Sequence, residues 1–438
     1  MKEVKSNVRW RNIWNKTLPG AYINFVSATT NSNGMSARGI GAMCFSSDWL
    51  AQGAVTEITA EDFLTNSTKI LGHDYGDDSM LVLREFFKNG SKLYAYNLNG
   101  GGVKANNAYC TAKNAGTRGN DLKTVIAKNV DNTNLYDVST YLGTMLVDKQ
   151  TVATSKDLVG NDFVTFQPSA SLAVTAGTNL TGGTNGTFSR TQVVQNFIND
   201  LESYSFNGLC VATDEGDVSS LLMAYTKRMR DSIGKKFQTV IFDNNNDYDY
   251  EGVIVIPNTN AENSWDIVAW VLGATCSCEI NKSLTNATYN GEIEIEADYT
   301  QLNLEDFIKN GFFVFHKVGN EVRVLKDINS LTTTTDEKGD VFKNNQTVRI
   351  CDQIATDYAN IFNTRYLGKV PNDRSGRSAL ANDFTKYCND LMTIRAIEDF
   401  TSDDIVVDIG DTKTSVVATN TIKVVNTMEQ LYMKVVIN

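Results

Sequence analysis

Histidine is almost missing from this chain: His73 and His316 are the only two among 438 residues. That scarcity removes most mononuclear zinc hydrolase designs and most Ser-His-Asp arrangements before any motif is read. Proline is also scarce, at four residues. The seven cysteines, Cys44, Cys110, Cys210, Cys276, Cys278, Cys351 and Cys388, form an odd set in which only Cys276 and Cys278 lie close together. A secreted disulfide framework calls for an even set in a short chain, so the expectation is reduced, buried thiols. No apolar run approaches the roughly 20 residues of a membrane span. The opening MKEVKSNVRWRNIW carries charge but no apolar stretch, so no export signal is expected and the protein is expected to be cytoplasmic when made. Positive charge is outnumbered, with a formal net charge of -11. Coating nucleic acid or adhering to anionic lipid needs a basic face, so neither direct nucleic-acid binding nor membrane insertion is expected.

What is present describes a folded, soluble protein. Hydrophobic residues make up 42% and charged residues 21% of the chain, which excludes wholesale disorder. At roughly 150 residues per domain the length suggests about three domains. Asparagine and threonine are plentiful, which suits turns, β-edges and polar interfaces.

Along the chain, residues 1–20 read as a polar extended arm, followed by a strand in which Tyr22, Asn24 and Val26 oppose Ile23 and Phe25. Thr59 precedes Glu61 and Asp62 as a helix N-cap, and DDSMLVLREFFKNG reads as a helix closed by Gly90. KLYAYNL is a strand ending at Gly100-Gly101-Gly102. Residues 103–182 are short β-rich pieces between Asn, Asp and Gly turns, an all-β insertion of sandwich or barrel type. Residues 183–331 alternate helix and strand. RTQVVQNFINDLESY places Val194, Phe197, Ile198 and Leu201 on one face, NGLCVAT, FQTVIF and EGVIVIPN are strands, and DVSSLLMAYTKRMRDSIG and SWDIVAWVLGATCS are helices. That alternation predicts an α/β layer with a mostly parallel sheet. FFVFHKVGNEVRVLKDI reads as a hairpin turning at Gly319-Asn320. Beyond the threonine run at 332–335, residues 332–424 carry two helices, with Ile350, Ile354, Tyr358, Ile361 and Phe362 in the first and Leu380, Phe384, Tyr387, Leu391 and Ile394 in the second. The chain closes in strands.

No constellation survives as an enzyme site. GHDYGDD gathers His73, Asp74, Asp77 and Asp78 between two helices, where acidic residues serve as caps. DNNNDYDYEG alternates Asp243, Asn245, Asp247 and Asp249 like a calcium loop, but Tyr248 stands at the required glycine and Ile254 at the bidentate glutamate. TGGTNG at 181–186 lacks the endings of a phosphate-binding loop and reads as a domain-joining hinge. Cys276 and Cys278 have no second pair nearby and read as core thiols. No cofactor and no metal is expected. The ends are more informative. In LYMKVVIN, Leu431, Met433, Val435 and Ile437 share one face, with Tyr432, Lys434 and Val436 on the other. Termini fray unless something pairs them. The pattern fits either a last strand in the protein's own sheet or one donated to a neighbour's sheet edge. The arm carrying Trp10, Ile13 and Trp14 is a second candidate tether.

The pieces LPGAYINFVS, LGHDYGDDSMLVLREFFKN, LYAYNLNGG, AGTRGNDLKTVI, DFVTF with LTGGTNGT, DYEGVIVI, WVLGAT, RVLKDINSLTT, VRICDQIA with YLGKVPND, and MEQLYMKVVIN run in order over nearly the whole chain. Their order resembles that of contractile tail sheath proteins of bacteriophages and phage-tail-like particles, in the branch of the Gram-positive defective prophage. The resemblance implies an α+β chain with a subtilisin-like α/β domain lacking a catalytic site, a β-rich outer insertion, and a mixed C-terminal domain with exchanged terminal strands. It divides the chain into a linking arm (1–20), an N-terminal part of the core (21–102), the insertion (103–182), the α/β domain (183–331), a tube-facing domain (332–424) and a linking strand (425–438).

The resemblance also implies stacked six-membered rings around a tail tube, joined by strand exchange through both termini. Contraction would then drive the tube through a target envelope by repacking subunits out of a kinetically trapped state. Its implied partners are further copies of itself, the tail tube protein, and baseplate and tail terminator proteins, and its place is the virion tail, assembled in the host cytoplasm. Arg365, Lys369, Arg374 and Arg377 in TRYLGKVPNDRSGR are the candidates to face the tube, against the alternative of a solvated loop between helices. Two other readings are a self-assembling surface or adhesive protein that also exchanges strands, and an α/β hydrolase dependent on His73 or His316.

Overall fold

The computed structural model describes residues 35–257 and 264–437. The expected strand at Tyr22–Val26 and the arm bearing Trp10, Ile13 and Trp14 lie outside the described residues. The first described strand, β1 (Ile40–Phe45), is followed by β2 (Thr56–Thr59), helices α1 (Ala60–Thr65), α2 (Ser67–Leu71) and α3 (Leu81–Phe87), and strand β3 (Lys92–Asn97). Thr59 opens α1 with a capping box. Its hydroxyl accepts the Asp62 N–H at 3.1 Å, and the Asp62 carboxylate accepts the Thr59 N–H at 3.3 Å. The helix expected over DDSMLVLREFFKNG is confined to a 3₁₀ turn and α3, and the Gly90 N–H closes it on the Phe86 carbonyl at 2.8 Å.

The insertion contributes β4 (Cys110–Ala112), β5 (Leu122–Lys128), β6 (Tyr136–Leu142), β7 (Met145–Val152), β8 (Val164–Phe166) and β9 (Thr175–Asn179). These form a four-stranded antiparallel sheet in the order β7-β6-β5-β9 and a β4-β8 ribbon. Leu122 and Ile126 on β5 and Val138 and Leu142 on β6 point inward at alternate positions and meet Phe163, Val164 and Phe166.

After the insertion come α4 (Arg190–Asp200), β10 (Gly208–Val211), α5 (Gly216–Lys227), β11 (Gln238–Phe242), β12 (Val253–Ile256), α6 (Ile267–Ser277) and α7 (Gln301–Lys309). The strands of this segment do not stand alone. They continue the N-terminal ones in a six-stranded sheet ordered β12-β11-β10-β1-β3-β2, parallel except for β2 at the edge. Alternate residues of β1 serve opposite cores: Met43 and Phe45 meet α3 and α6 on one face, while Ala42 and Cys44 meet α4 and α5 on the other. A sheet covered on both faces reads as near-continuous apolar runs, which is why NGLCVAT and EGVIVIPN carry so few polar residues. Helix α7 was not expected. It is short, Thr300 caps it by accepting the Asn303 N–H at 3.3 Å, and none of its residues is buried.

The hairpin β13 (Phe315–Val318) and β14 (Glu321–Val324) turns at Gly319, whose φ of 62° lies in the left-handed region. The last part holds α8 (Asn345–Ile361), α9 (Arg374–Thr393), β15 (Ile397–Glu398), β16 (Ile405–Ile409), β17 (Val416–Asn420) and β18 (Lys423–Val424). Ile350, Ile354 and Tyr358 of α8 pack on Leu380, Phe384, Tyr387 and Leu391 of α9, with Tyr358 stacked on Phe384 at 4.0 Å between ring centroids. SVVATNTIKVV splits into β17, paired with β16, and β18, paired with β15. One expectation is corrected: of MEQLYMKVVIN, residues 428–437 form no strand and pair with no strand of their own chain among the described residues. Among the described residues, no helix is long and apolar enough to cross a membrane.

Gly273 of α6 lies so close to α3 that an added Cβ would meet the Phe86 carbonyl oxygen at 2.3 Å. Gly273→Ala is expected to force these helices apart and lower the unfolding free energy by about 1–3 kcal/mol, read from the midpoint of urea unfolding.

Candidate assembly surfaces

In a doubly wound sheet, ligands bind beyond the C-terminal ends of the strands where the winding reverses, here between β1 and β10. Beside it, the C-terminal ends of β1 and β3 are closed over by side chains. The Asn97 side chain accepts the Ser47 N–H at 3.2 Å and donates to the carbonyls of Ser47 at 2.9 Å and Leu50 at 2.7 Å. Trp49 beside it has no exposed surface and packs against the insertion. The glycine segments 100–102 and 181–186 are laced together across the same end. Val103 and Thr184 exchange N–H···O bonds at 3.1 and 3.0 Å, and a Cβ on Gly186 would meet the Gly100 carbonyl oxygen at 2.1 Å. TGGTNG is therefore one strand of a doubly bonded connector, which corrects the reading of a hinge.

The other motifs resolve locally. His73 contacts the carboxylates of Asp48 at 2.8 Å and Asp77 at 3.3 Å, and neither contact supplies a nucleophile. Asp77 precedes the 3₁₀ turn, but its carboxylate accepts the Asp74 N–H at 3.1 Å and caps no helix, so the loop and not a cap explains it. His316 faces Arg323 across the β13–β14 ladder, and burial with that positive charge lowers its pKa. In DNNNDYDYEG the Asp249 carboxylate accepts the N–H groups of Thr332 at 2.7 Å and Thr333 at 2.9 Å. Burial alone would raise its pKa, but these donors outweigh it and hold it at about 2. Cys276 is buried in α6 and Cys278 half-buried at its end, both as free thiols. Among the described residues, no group of three or more His, Cys, Asp or Glu is arranged to hold a metal.

The sequence reading missed a charged junction along α8. Arg349 is fully buried and donates through Nη2 to Asp327 at 2.7 Å, itself fully buried in the segment after β14. Asp352, one turn on, takes both Nη1 and Nη2 of Arg230 at 2.5 and 2.9 Å. Arg230 lies in the π-turn Arg228–Ile233 that prolongs α5, so this pair fastens α8 to the central layer. Asp357 accepts the Ser36 N–H at 2.8 Å and the Tyr387 hydroxyl at 2.8 Å, tying the start of the described chain to α9. An i, i+3 arginine and aspartate beside Asn345, Gln346, Gln353 and Thr356 on one face of a long helix was the available signal.

The C-terminal segment is rooted on the first turn of α8. The Thr427 N–H donates to the Gln346 side chain at 3.0 Å, and Asn426 and Thr347 are bonded side chain to side chain. The Glu429 carboxylate accepts the Thr285 hydroxyl at 2.9 Å and lies 3.6 Å from the Lys326 ammonium. Beyond Glu429 the chain leaves the body. Leu431 and Tyr432 are each 87% exposed, Ile437 91%, and Met433, Val435 and Val436 also face solvent. The β16–β17 hairpin pairs with no third strand among the described residues, and Val406 and Ile409 on it are exposed.

The basic segment lies on the turn from α8 into α9. Arg365 pairs with Asp383 at 3.0 Å, and Arg377 donates to the Asn372 carbonyl and side chain at 3.2 and 3.1 Å. The Lys369 ammonium donates to the Thr364 carbonyl, and Arg374 is exposed at the first turn of α9.

Four successive segments match family profiles. Residues 38–98 match the tail sheath protein Gp18 domain III N-terminal region, and 99–185 the phage tail sheath protein beta-sandwich domain. Residues 189–330 match the phage tail sheath protein central domain, and 337–438 the phage tail sheath C-terminal domain. The phage-like element PBSX protein XkdK of Bacillus subtilis is 30% identical over 467 residues, covering 97% of this chain and 98% of that protein. The crystal structure of a sheath tail protein from Desulfitobacterium hafniense superposes with a TM-score of 0.80 at 32% identity, covering 95% of this chain and 99% of that one. The anti-feeding prophage helical sheath in its contracted state shares the fold, with a TM-score of 0.56 at 12% identity over 97% of this chain and 100% of that one.

Removing one partner of a buried ion pair leaves an uncompensated charge. Asp352→Ala is therefore expected to destabilise the subunit by about 3–5 kcal/mol in urea unfolding, and to loosen α8, seen as faster amide hydrogen exchange along it.

Proposed function

The chain belongs to the phage tail sheath proteins, structural components of phage tails and related contractile injection systems, and we propose that it polymerises as stacked hexameric rings around a tail tube through exchanged terminal strands. The observation that carries this reading is the tail 430–437, an alternating apolar segment held out in solvent by a firmly bonded root. Burying each such side chain is worth about 1.5–3 kcal/mol, so an isolated subunit leaves a large driving force unused. Extended at about 3.3 Å per residue, the tail reaches about 26 Å, enough to cross to a neighbour. The β16–β17 hairpin is a suitable acceptor, because a two-stranded ribbon is marginal alone and gains from a third strand. Each added main-chain bond contributes about 1 kcal/mol. Trp10, Ile13 and Trp14 supply the second tether in this scheme.

The remaining assignments follow the same reading. The six-stranded sheet with its covering helices is the subtilisin-like layer, used as a rigid block, with the insertion 103–182 outside and 332–424 toward the tube. The division into 1–20, 21–102, 183–331 and 425–438 completes that scheme. Contraction repacks whole subunits while exchanged strands keep them connected, and its free energy comes from surface and charge pairs buried between subunits. Further copies of the chain, the tail tube protein, the baseplate and the tail terminator are its partners, in a virion tail or phage-tail-like particle assembled in the host cytoplasm. Lys369 and Arg374, with Arg365 and Arg377, offer the tube a basic surface on a subunit of net charge -11.

Deleting residues 430–438, which keeps the Glu429 clamp, is expected to leave a folded subunit with unchanged circular dichroism that forms no cylinders in negative-stain microscopy. Cylinders formed as readily as by the full chain would refute strand exchange, and flat arrays from the full chain would favour the adhesive reading. Reversing Lys369 and Arg374 to Glu is expected to spare sheath polymerisation but reduce co-sedimentation with tubes by about tenfold or more at low salt, since exposed charge pairs act mainly through complementarity.

A further inference from the structure

A second feature lies at the opposite end of the central sheet from Asn97 and Trp49. Where α8 crosses the N-terminal ends of β1, β10 and β11, a small cleft opens to solvent, lined by Arg38, Lys236, Thr275, Arg349 and Asp352 among others. Its charges do not balance. Asp352 is the one carboxylate on the lining, and Arg230 already grips both its oxygens. Arg38 donates only to neutral acceptors: the Cys278 carbonyl at 3.1 Å, the Thr275 carbonyl at 3.1 Å and the Gln353 side chain at 3.2 Å. Lys236 donates to the Arg230 carbonyl at 2.7 Å. Neither cation forms an ion pair among the described residues.

Three donors here are also idle. Arg349 spends Nη2 on Asp327 and Lys282, but its Nε and Nη1 are buried without a partner, as is the Thr275 hydroxyl. Both residues are only 2% exposed. Buried polar groups are almost always satisfied, and an unsatisfied arginine edge beside two unpaired cations points to a missing anion. The neighbouring cleft makes the contrast. There Arg230, Lys236 and Lys338 face Glu251 and Asp352, and Lys338 and Glu251 are paired. Burial, with Arg349 nearby, pushes the Arg38 guanidinium down to about 10, and burial with the charge of Arg230 pushes Lys236 down to about 8. Both shifts are those of positive charge short of compensation.

We propose that this cleft binds one small inorganic oxyanion, phosphate or sulfate, held by Arg38, Lys236, the free edge of Arg349 and the Thr275 hydroxyl. A tetrahedral oxyanion presents several acceptors to planar guanidinium forks, which water cannot match in charge. Because Arg349 belongs to α8 and Thr275 to α6, the anion bridges the C-terminal helices to the central layer and acts as a removable fastener between them. This assignment concerns the single subunit and stands apart from how subunits polymerise.

Titration calorimetry of the full-length subunit with sodium phosphate, at ionic strength held constant with sodium chloride, tests it. One saturable site per chain is expected, with sulfate competing and the thermal midpoint rising as the site fills. Arg38→Gln and Lys236→Met are each expected to weaken binding by about tenfold or more and to abolish the thermal shift. Should either not fold, Thr275→Val decides in the same way, since it removes one donor and keeps the shape. No saturable phosphate or sulfate binding to the unaltered chain, an equal response to chloride, or undiminished binding in the variants would overturn the proposal.

Discussion

Arg349 and Asp327 meet 2.7 Å apart with essentially no exposed side-chain surface, and the organisation of the molecule turns on that pair and its neighbour Arg230–Asp352. Buried ion pairs add little net stability compared with apolar packing, because desolvation offsets most of the attraction. They do specify geometry: a charge buried in the wrong place has no partner, so α8 has one permitted seat. The central sheet supplies that seat through the π-turn after α5, and the segment after β14 supplies the other half. Through Gln346, Thr347 and Asn344, the first turn of the same helix then sets where the C-terminal tail departs.

The Arg230–Asp352 connection joins the doubly wound sheet and α8 into one block. At the C-terminal ends of β1 and β3 the space beside the switch point is closed by Asn97, Trp49 and the glycine-rich connector to the insertion. The insertion is thus held by two bonded segments and by packing. Fold alone does not carry function. Among the described residues the edges display a hairpin with no third strand, an exposed apolar tail and a basic turn.

Much of this was legible in the order of residues. Thr59 and Asp62 announce a helix start because both partners of a capping box are local. Gly319 announces a hairpin because few other residues tolerate its φ. The apolar runs of β10, β11 and β12 announce buried strands. Local signals failed where partners are distant. IGAMCF has no alternation to mark it as β1, since both its faces are buried, and nothing near it says that it joins β3 to β10. Asp77 sits where a cap belongs, yet a neighbouring backbone amide and His73 claim its carboxylate. The basic segment between α8 and α9 stands out by composition, but composition could not say that Arg365 and Arg377 are engaged within their own subunit.

The sequence by itself determined most of the elements and the collinear run of pieces that marks the family, because capping, turn chemistry and hydrophobic period act within a few residues. The alternating apolar pattern of the last residues was equally plain. Only the tertiary structure decided that these residues stay outside the protein's own sheets, since that depends on which edges the remaining strands have already filled. It alone brought Arg38, Lys236 and Arg349 to one cleft, because charges more than a hundred residues apart become neighbours only when α8 is seated across the sheet.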